Sequence, residues 1–386
     1  MSAIKFPIFK VHCDPENALK EIEKVLRSGF INEGEQVSRF QEAVSNFLGS
    51  KNLVLVNSGT SAITIALAAS GVEPGTEVIS TSMTCVASNT PIVNLGSKVI
   101  WADIDESTGM LDPVDVEKKI TPKTRAVVAV AWGGTPPDLI KLKQICEKHK
   151  IKLVYDAAHA FGATIQGKPA SDYADFSCYS FQAIKHVTCG DGGALISKSD
   201  KDHLLARKLK WFGMDRDAVK DSKGNWKGQH WDADILDGEI GYKFNMNNMA
   251  AALGLSQLPH IPKILGGHRK NAAIYHKIFQ ETSDGLITPL RRPVDCESSY
   301  WIFTVLLPKK LNRDSVMAKL QEHGIGAGVV HMPNHHYDCF KTSLTPLPNV
   351  DAFSNRQISL PVGWWLTEQD AQFIATKTVE VVKGFM

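Results

Sequence analysis

The chain reads as an α/β protein, with a mostly parallel sheet flanked by helices and then a smaller C-terminal α+β unit. Three observations carry that prediction. Apolar, β-branched runs alternate with helical patterns through the first two-thirds of the 386 residues, the order expected of parallel strands joined by helical crossovers. The best-defined run, Ala126 to Trp132, is apolar at every position, as a strand covered on both faces requires. From about Pro259 the texture changes, and Pro259, Pro262 and Gly266-Gly267 punctuate a boundary before a basic helix.

Taken in order, Val54-Leu55-Val56 is a strand that leads through Asn57-Ser58-Gly59-Thr60 into an alanine-rich helix from Ser61 to Ser70. Val78-Ile79 and Val99 to Ile104 are further strands. After Ala126 to Trp132 and Gly133-Gly134, Asp138 caps a helix. Leu139, Leu142 and Ile145 share one face of it, and Lys141, Lys143 and Glu147 take the other. Ile151 to Tyr155 is the next strand and ends in Asp156. Beyond the boundary, Trp301 to Leu307 reads as a strand and Arg313 to His323 as a helix. The expected division is a large domain over residues 1–259 and a small one over residues 260–386.

Composition excludes several function classes. Hydrophobic residues at 43% and charged residues at 22% rule out wholesale disorder. With 43 Lys+Arg against 41 Asp+Glu, the net charge of +2 provides no field for nucleic acid or an anionic membrane. Apolar stretches stop near seven residues, far short of the roughly 20 that span a bilayer as a helix. The first residues lack the regions of a signal peptide, so the cytoplasm is the expected location. Seven cysteines without a C-x-x-C pair read as reduced thiols.

Ligands of open parallel sheets sit beyond the carboxyl ends of the strands, and three features fall there. Asn57-Ser58-Gly59-Thr60 is a small-residue turn opening a helix, where free N–H groups suit a phosphate; a plain capped helix would look the same. Asp156 reads either as a helix cap or as a functional carboxylate, with His159 close behind. Lys185 lies between an aromatic stretch and Gly190-Asp191-Gly192-Gly193, where a desolvated amine can form a Schiff base with a carbonyl compound. Together these are the parts of a pyridoxal phosphate site: a phosphate anchor, a carboxylate for the ring nitrogen and a lysine for the aldehyde.

The same segments identify a resemblance. Gly34-Glu35-Gln36-Val37, Val56 to Ala62, Asp156 to Ala163, Ser180-Phe181 with Lys185, Gly190 to Gly193, and Gly241-Tyr242 with Met246 and Gly254 to Leu258 resemble the DegT/DnrJ/EryC1/StrS family of sugar aminotransferases over nearly the whole length. That resemblance implies the fold type I architecture, with a seven-stranded sheet and pyridoxal 5'-phosphate as cofactor. It implies that Lys185 forms the internal aldimine, that Asp156 pairs with the pyridine nitrogen, and that His159 contacts the ring hydroxyl. Ser58, Gly59, Thr60 and Ser180 would hold the phosphate. Asn245 or Lys243 would reach the phosphate across a homodimer interface, giving composite active sites. Cys85 stands where the family usually stacks an aromatic residue on the ring, and Asp191 replaces a usual glutamate.

The resemblance further implies glutamate as amino donor and a keto-sugar as acceptor, destined for a surface glycan such as lipopolysaccharide. Trp132-Gly133-Gly134 with Phe181 to His186 is similar to a subgroup acting on 8-oxo-3,8-dideoxy-manno-octulosonate, and nucleotide-linked 4-keto-6-deoxy sugars are the alternative. Trp132, His186, Arg216 and His331 are the candidate substrate residues. Trp211 to Arg216 reads as an anion clamp or as a core or interface turn. His331 to His336 reads as a loop at the substrate mouth; no carboxylate or thiol at ligand spacing accompanies it, so no metal is expected. A non-catalytic regulator with this fold would have a damaged lysine, aspartate or phosphate turn, and related sugar 3-dehydratases carry histidine in place of Lys185.

Overall fold

The expected alternation resolves into one seven-stranded sheet. Its strands, in chain order, are Leu53–Val56 (β1), Glu77–Thr81 (β2), Lys98–Ala102 (β3), Thr124–Val130 (β4), Lys152–Asp156 (β5), Phe176–Ser180 (β6) and Gly193–Ser197 (β7). Their spatial order is β1-β7-β6-β5-β4-β2-β3. Only β7 runs against its neighbours, β1 and β6; the other pairings are parallel. The structure, a computed structural model, describes residues 4–215, 240–340 and 345–386.

Period two explains why the strands are apolar throughout. Leu53 and Leu55 enter one core and Val54 and Val56 another, and β4 divides likewise between Val127 with Ala129 and Ala126 with Val128. Helix Glu35–Leu48 covers the first face with Val37, Phe40 and Val44, while helix Gly59–Ala69 covers the second with Ala62, Ile65 and Ala66. The alanines keep this second helix close to the sheet.

Some boundaries differ from the sequence reading. Trp132 is not part of its strand: the ladder ends at Val130, and Trp132–Gly134 is a short 3-10 turn in which Gly133 takes φ +61°. β6 and β7 escape a periodicity reading because each is five residues long and mixes serine, cysteine or glycine with apolar residues. Gly266-Gly267 do not punctuate the chain. They lie inside the single helix Ile261–Thr282, even though glycine costs about 1 kcal/mol there relative to alanine. Packing at both ends offsets that cost: Ile261, Ile264 and Leu265 enter the first sheet core, and Ala272, Tyr275 and Phe279 enter a third core.

The third core lies under a three-stranded antiparallel sheet made of Thr288–Pro289, Phe303–Leu306 and Gln357–Leu360. Helices Arg313–Glu322 and Glu368–Gly384 contribute Val316, Leu320, Ile374 and Val382 to it. Segments cross between the units in both directions. Phe6 pairs with Ile325 and packs into the third core, whereas Phe340, Leu347, Val350 and Phe353 return to the large sheet. Among the described residues no helix is long and apolar enough to cross a membrane.

Candidate active site

Strand register gathers the candidate residues at one edge. Val56, Gly193 and Ser180 pair in one row across β1, β7 and β6, and Cys178, Asp156 and Val130 pair in the row beneath across β6, β5 and β4. This is the carboxyl edge of the six co-directional strands, where open sheets bind ligands. Gly193 is required by the crossing chain: a Cβ there would lie 2.5 Å from the carbonyl carbon of Ser58.

A cavity of about 260 Å³ opens at this edge, lined by Ser58, Gly59, Thr60, Cys85, Asp156, His159, Ser180, Lys185 and His331. A larger depression of about 590 Å³ beside Lys210 and Trp211 is lined in part by the ion pairs Lys210–Glu33 and Arg207–Asp215 and includes neither Lys185 nor Asp156. The smaller cavity is the one that brings Lys185, Asp156 and the Ser58–Thr60 turn together.

Ser58 caps helix Gly59–Ala69, its Oγ accepting from the Ser61 N–H at 3.0 Å, and so directs the positive end of that helix into the cavity. Asp156 ends β5, and Ser88 Oγ donates to its Oδ2 at 2.6 Å while the Ala158 N–H donates to Oδ1 at 3.1 Å. Burial pushes this carboxyl above the usual range; the Ser88 and Ala158 bonds and the Lys185 charge oppose that push. Burial lowers the Lys185 amine to about 8, against the pull of Asp156.

His159 stacks on Trp301, ring centroids 3.8 Å apart. Burial first, then the Lys185 charge, hold His159 well below the ordinary histidine range and bring His331 to about 4. Both rings are neutral near pH 7. Neither His159 Nδ1 nor His331 Nε2, both buried, has a hydrogen-bond partner among the described residues. A buried polar atom without a partner is costly, and two in one cavity mark places where a ligand completes the bonding.

Other predicted residues lie elsewhere. Trp132 is buried behind the wall, its Nε1 donating to Thr304 Oγ1 at 3.1 Å and its ring edge-on to His331. His186 points away from the cavity and donates to the Ser299 carbonyl at 3.0 Å. Neither lines the cavity, because each side chain finds its polar partner in the C-terminal unit. Lys243 Nζ donates to Asn245 Oδ1, and Asn245 Nδ2 donates to Asn32 at 3.2 Å; this pair also lies outside the cavity of its own chain. Trp211 receives Lys243 Nζ over its ring at 3.9 Å. Arg216 lies outside the described residues.

Sequence reading missed three contributors. Ser88 was signalled only by the need of a strand-end aspartate for a donor. Trp301 was read as the start of a strand, yet its indole lines the cavity with Lys185 Nζ 3.7 Å from the ring centroid. Buried Asn334 docks the His331 loop, donating through Nδ2 to Thr84 O at 2.8 Å and through its backbone to Ser82 O at 2.7 Å. The fold also brings a carboxylate to the histidine run: Asp351 Oδ1 is 3.9 Å from His335 Nε2 and 4.0 Å from His336 Nε2, a grouping that spacing along the chain does not reveal.

This residue set fits pyridoxal phosphate: a helix start for the phosphate, a buried carboxylate with its own donors, an amine of lowered basicity and an unpartnered imidazole nitrogen converge on one cavity. Comparison with known proteins agrees. The spore coat polysaccharide biosynthesis protein SpsC of Bacillus subtilis (strain 168) is 30% identical over 376 residues, covering 95% of this chain and 94% of SpsC. The sugar aminotransferase CalS13 from Micromonospora echinospora superposes with a TM-score of 0.89 at 31% identity, over 99% of this chain and all of that one (100%). Spr1654 from Streptococcus pneumoniae, solved in a PLP form, has a TM-score of 0.87 at 26% identity, with 100% of both chains covered. The model of the DegT/DnrJ/EryC1/StrS aminotransferase family matches residues 12–379. With the loop lysine, the strand-end aspartate and the phosphate turn all in place, the chain belongs to that family and is a pyridoxal phosphate-dependent aminotransferase.

Proposed function

We propose that this aminotransferase moves an amino group from glutamate to a keto-sugar used in a bacterial surface glycan, working in the cytoplasm as a homodimer. The observation that carries this reading is the convergence of Lys185, Asp156 and the Ser58–Thr60 helix start on one cavity, supported by relatives named for sugar amination and polysaccharide synthesis. Ser58, Gly59, Thr60 and Ser180 hold the cofactor phosphate, Asp156 meets the ring nitrogen and His159 the ring hydroxyl, with Cys85 against the ring. When bound, pyridoxal phosphate supplies an aldehyde that captures amines and a ring that accepts the electron pair released at the donor Cα.

Lys185 Nζ would do the protein's share of proton transfer, moving the proton taken from the donor Cα to the carbon that carried the cofactor aldehyde, and in the second half-reaction moving a proton from that carbon to the sugar carbon that receives the amine. An amine titrating at about 8 is neutral often enough near neutral pH to act as that base. His331, neutral and with a free ring nitrogen in the cavity, hydrogen-bonds a sugar hydroxyl. Asn245, or Lys243 beside it, completes the phosphate site of the second subunit.

Incubating the purified enzyme with glutamate and, in parallel, 8-oxo-3,8-dideoxy-manno-octulosonate and several 4-keto-6-deoxy nucleotide sugars tests this reading. An amino sugar detected by mass spectrometry identifies the acceptor class. Amination of simple 2-oxo acids with no keto-sugar turned over would refute the sugar assignment.

A further inference from the structure

The two residues that flank Lys185 are both tied to one distant segment. Trp301 Nε1 donates to Ile184 O at 2.8 Å, and His186 Nε2 donates to Ser299 O at 3.0 Å. That segment is itself pinned. Ser299 Oγ donates to Phe161 O at 2.7 Å, the Ser299 N–H donates to Gly134 O at 3.0 Å, and Tyr300 O accepts from His268 Nδ1 at 2.7 Å. Gly134 makes the approach possible, since a Cβ there would lie 2.8 Å from the Tyr300 nitrogen. Tyr300 takes φ +47°, a conformation that non-glycine residues seldom adopt and that recurs where a functional side chain must be aimed.

What is aimed is the indole of Trp301. Its ring stacks with Phe9 at 4.7 Å and with His159 at 3.8 Å, so it cannot turn freely, and Lys185 Nζ rests 3.7 Å from its centroid. An ammonium over an indole face is attracted by the ring quadrupole. We propose that Trp301 is a positioning residue for Lys185: the indole face receives the amine while it is protonated, and the paired 184–301 and 186–299 bonds return it to the same point in the cavity after each release. This rests on Lys185 being the cofactor lysine. It also gives His186 a role, holding the loop from beneath instead of meeting substrate.

The other groups facing the amine are Asp156 at the end of β5, Cys85 before helix Val86–Asn94, His159 after β5 and His331 on the C-terminal loop. Asp156 and, after it, Cys85 favour the charged amine, and both histidines are neutral, so Trp301 adds a further stabiliser of the cation from a different element. The test titrates Lys185 in cofactor-free protein by pH-dependent acetylation with acetic anhydride, read at the Lys185 peptide by mass spectrometry. Trp301→Leu keeps apolar bulk and loses the π face, so the midpoint falls by about one pH unit. Trp301→Phe keeps the face and loses the Nε1 bond, so the midpoint stays near the wild-type value. In the holoenzyme of this variant, recovery of the visible absorbance after release by glutamate slows on the order of tenfold. A Trp301→Leu midpoint equal to or above that of the wild type overturns the proposal. If Lys185 proves not to carry the cofactor, the absorbance arm fails on its own while the titration still reports on Trp301, so the two failures are distinguishable.

Discussion

The cavity has two walls of different origin. The sheet-edge wall, Ser58 to Thr60, Asp156, Ser180 and Lys185, comes from residues that follow strands of one sheet, and its key polar groups are bonded within the same unit: Ser58 to Ser61, Asp156 to Ser88 and Ala158. The opposite wall, Trp301 and His331, is delivered by segments of the C-terminal third and held by long-range bonds through Asn334, Ser299 and His268. The contrast teaches a division of labour. In the proposed reading, groups preorganised by their own sheet hold the cofactor, while the docked wall turns His331 toward the sugar and sets Trp301 against the Lys185 amine.

Substitutions can break or sharpen that contrast. Lys185→Ala removes both tether and base, so visible absorbance from bound lysine disappears and amination falls by roughly 10²–10⁴-fold or more; an unchanged absorption band in this variant would sink the assignment. Cofactor capture by the cofactor-free protein is next in size. The neutral amine is the nucleophile and its basicity is lowered to about 8, so the capture rate rises with pH, levels off above about 8, and drops about tenfold for each unit below. Stopped-flow absorbance between pH 6 and 9 measures it, and a rate that keeps rising through pH 9 without levelling argues against an amine of lowered basicity.

Ser88→Ala leaves a buried carboxylate short of a donor, worth about 1.5–3 kcal/mol for a bond to a charged group. Loss of a bond to the ionised form raises the Asp156 carboxyl further, so the acid limb of the kcat/KM profile moves to higher pH; an unmoved limb separates Ser88 from Asp156. On the docked wall, His331→Ala raises KM for the acceptor by roughly tenfold and leaves the absorbance of bound cofactor unchanged. An altered spectrum there would blur the two walls. The smallest effect is Ser58→Ala, which loses a helix cap and about 0.5–2 kcal/mol of stability, measured by the urea midpoint.

Legibility followed the same line. The strands β1, β4 and β5 were readable because burial on both faces forces near-continuous apolar runs, and the turn after β1 and the aspartate that ends β5 inherit their places from those strands. Gly266-Gly267 misled, since packing of Ile264 and Tyr275 into separate cores outweighs the local cost of glycine in a helix. His186 misled for a related reason: adjacency to Lys185 says nothing about direction, and the carbonyl that claims its ring belongs to Ser299.

The sequence by itself determined the sheet class, the cofactor chemistry and the order of lysine, aspartate and phosphate turn, because these depend on short-range periodicity and on residues locked to strand ends. Tertiary structure alone decided which histidines face the cavity, which serine supports Asp156 and which ring receives the Lys185 amine. Those choices rest on desolvation and hydrogen-bond partners supplied by segments far apart in the chain, and local propensity carries no record of such partners.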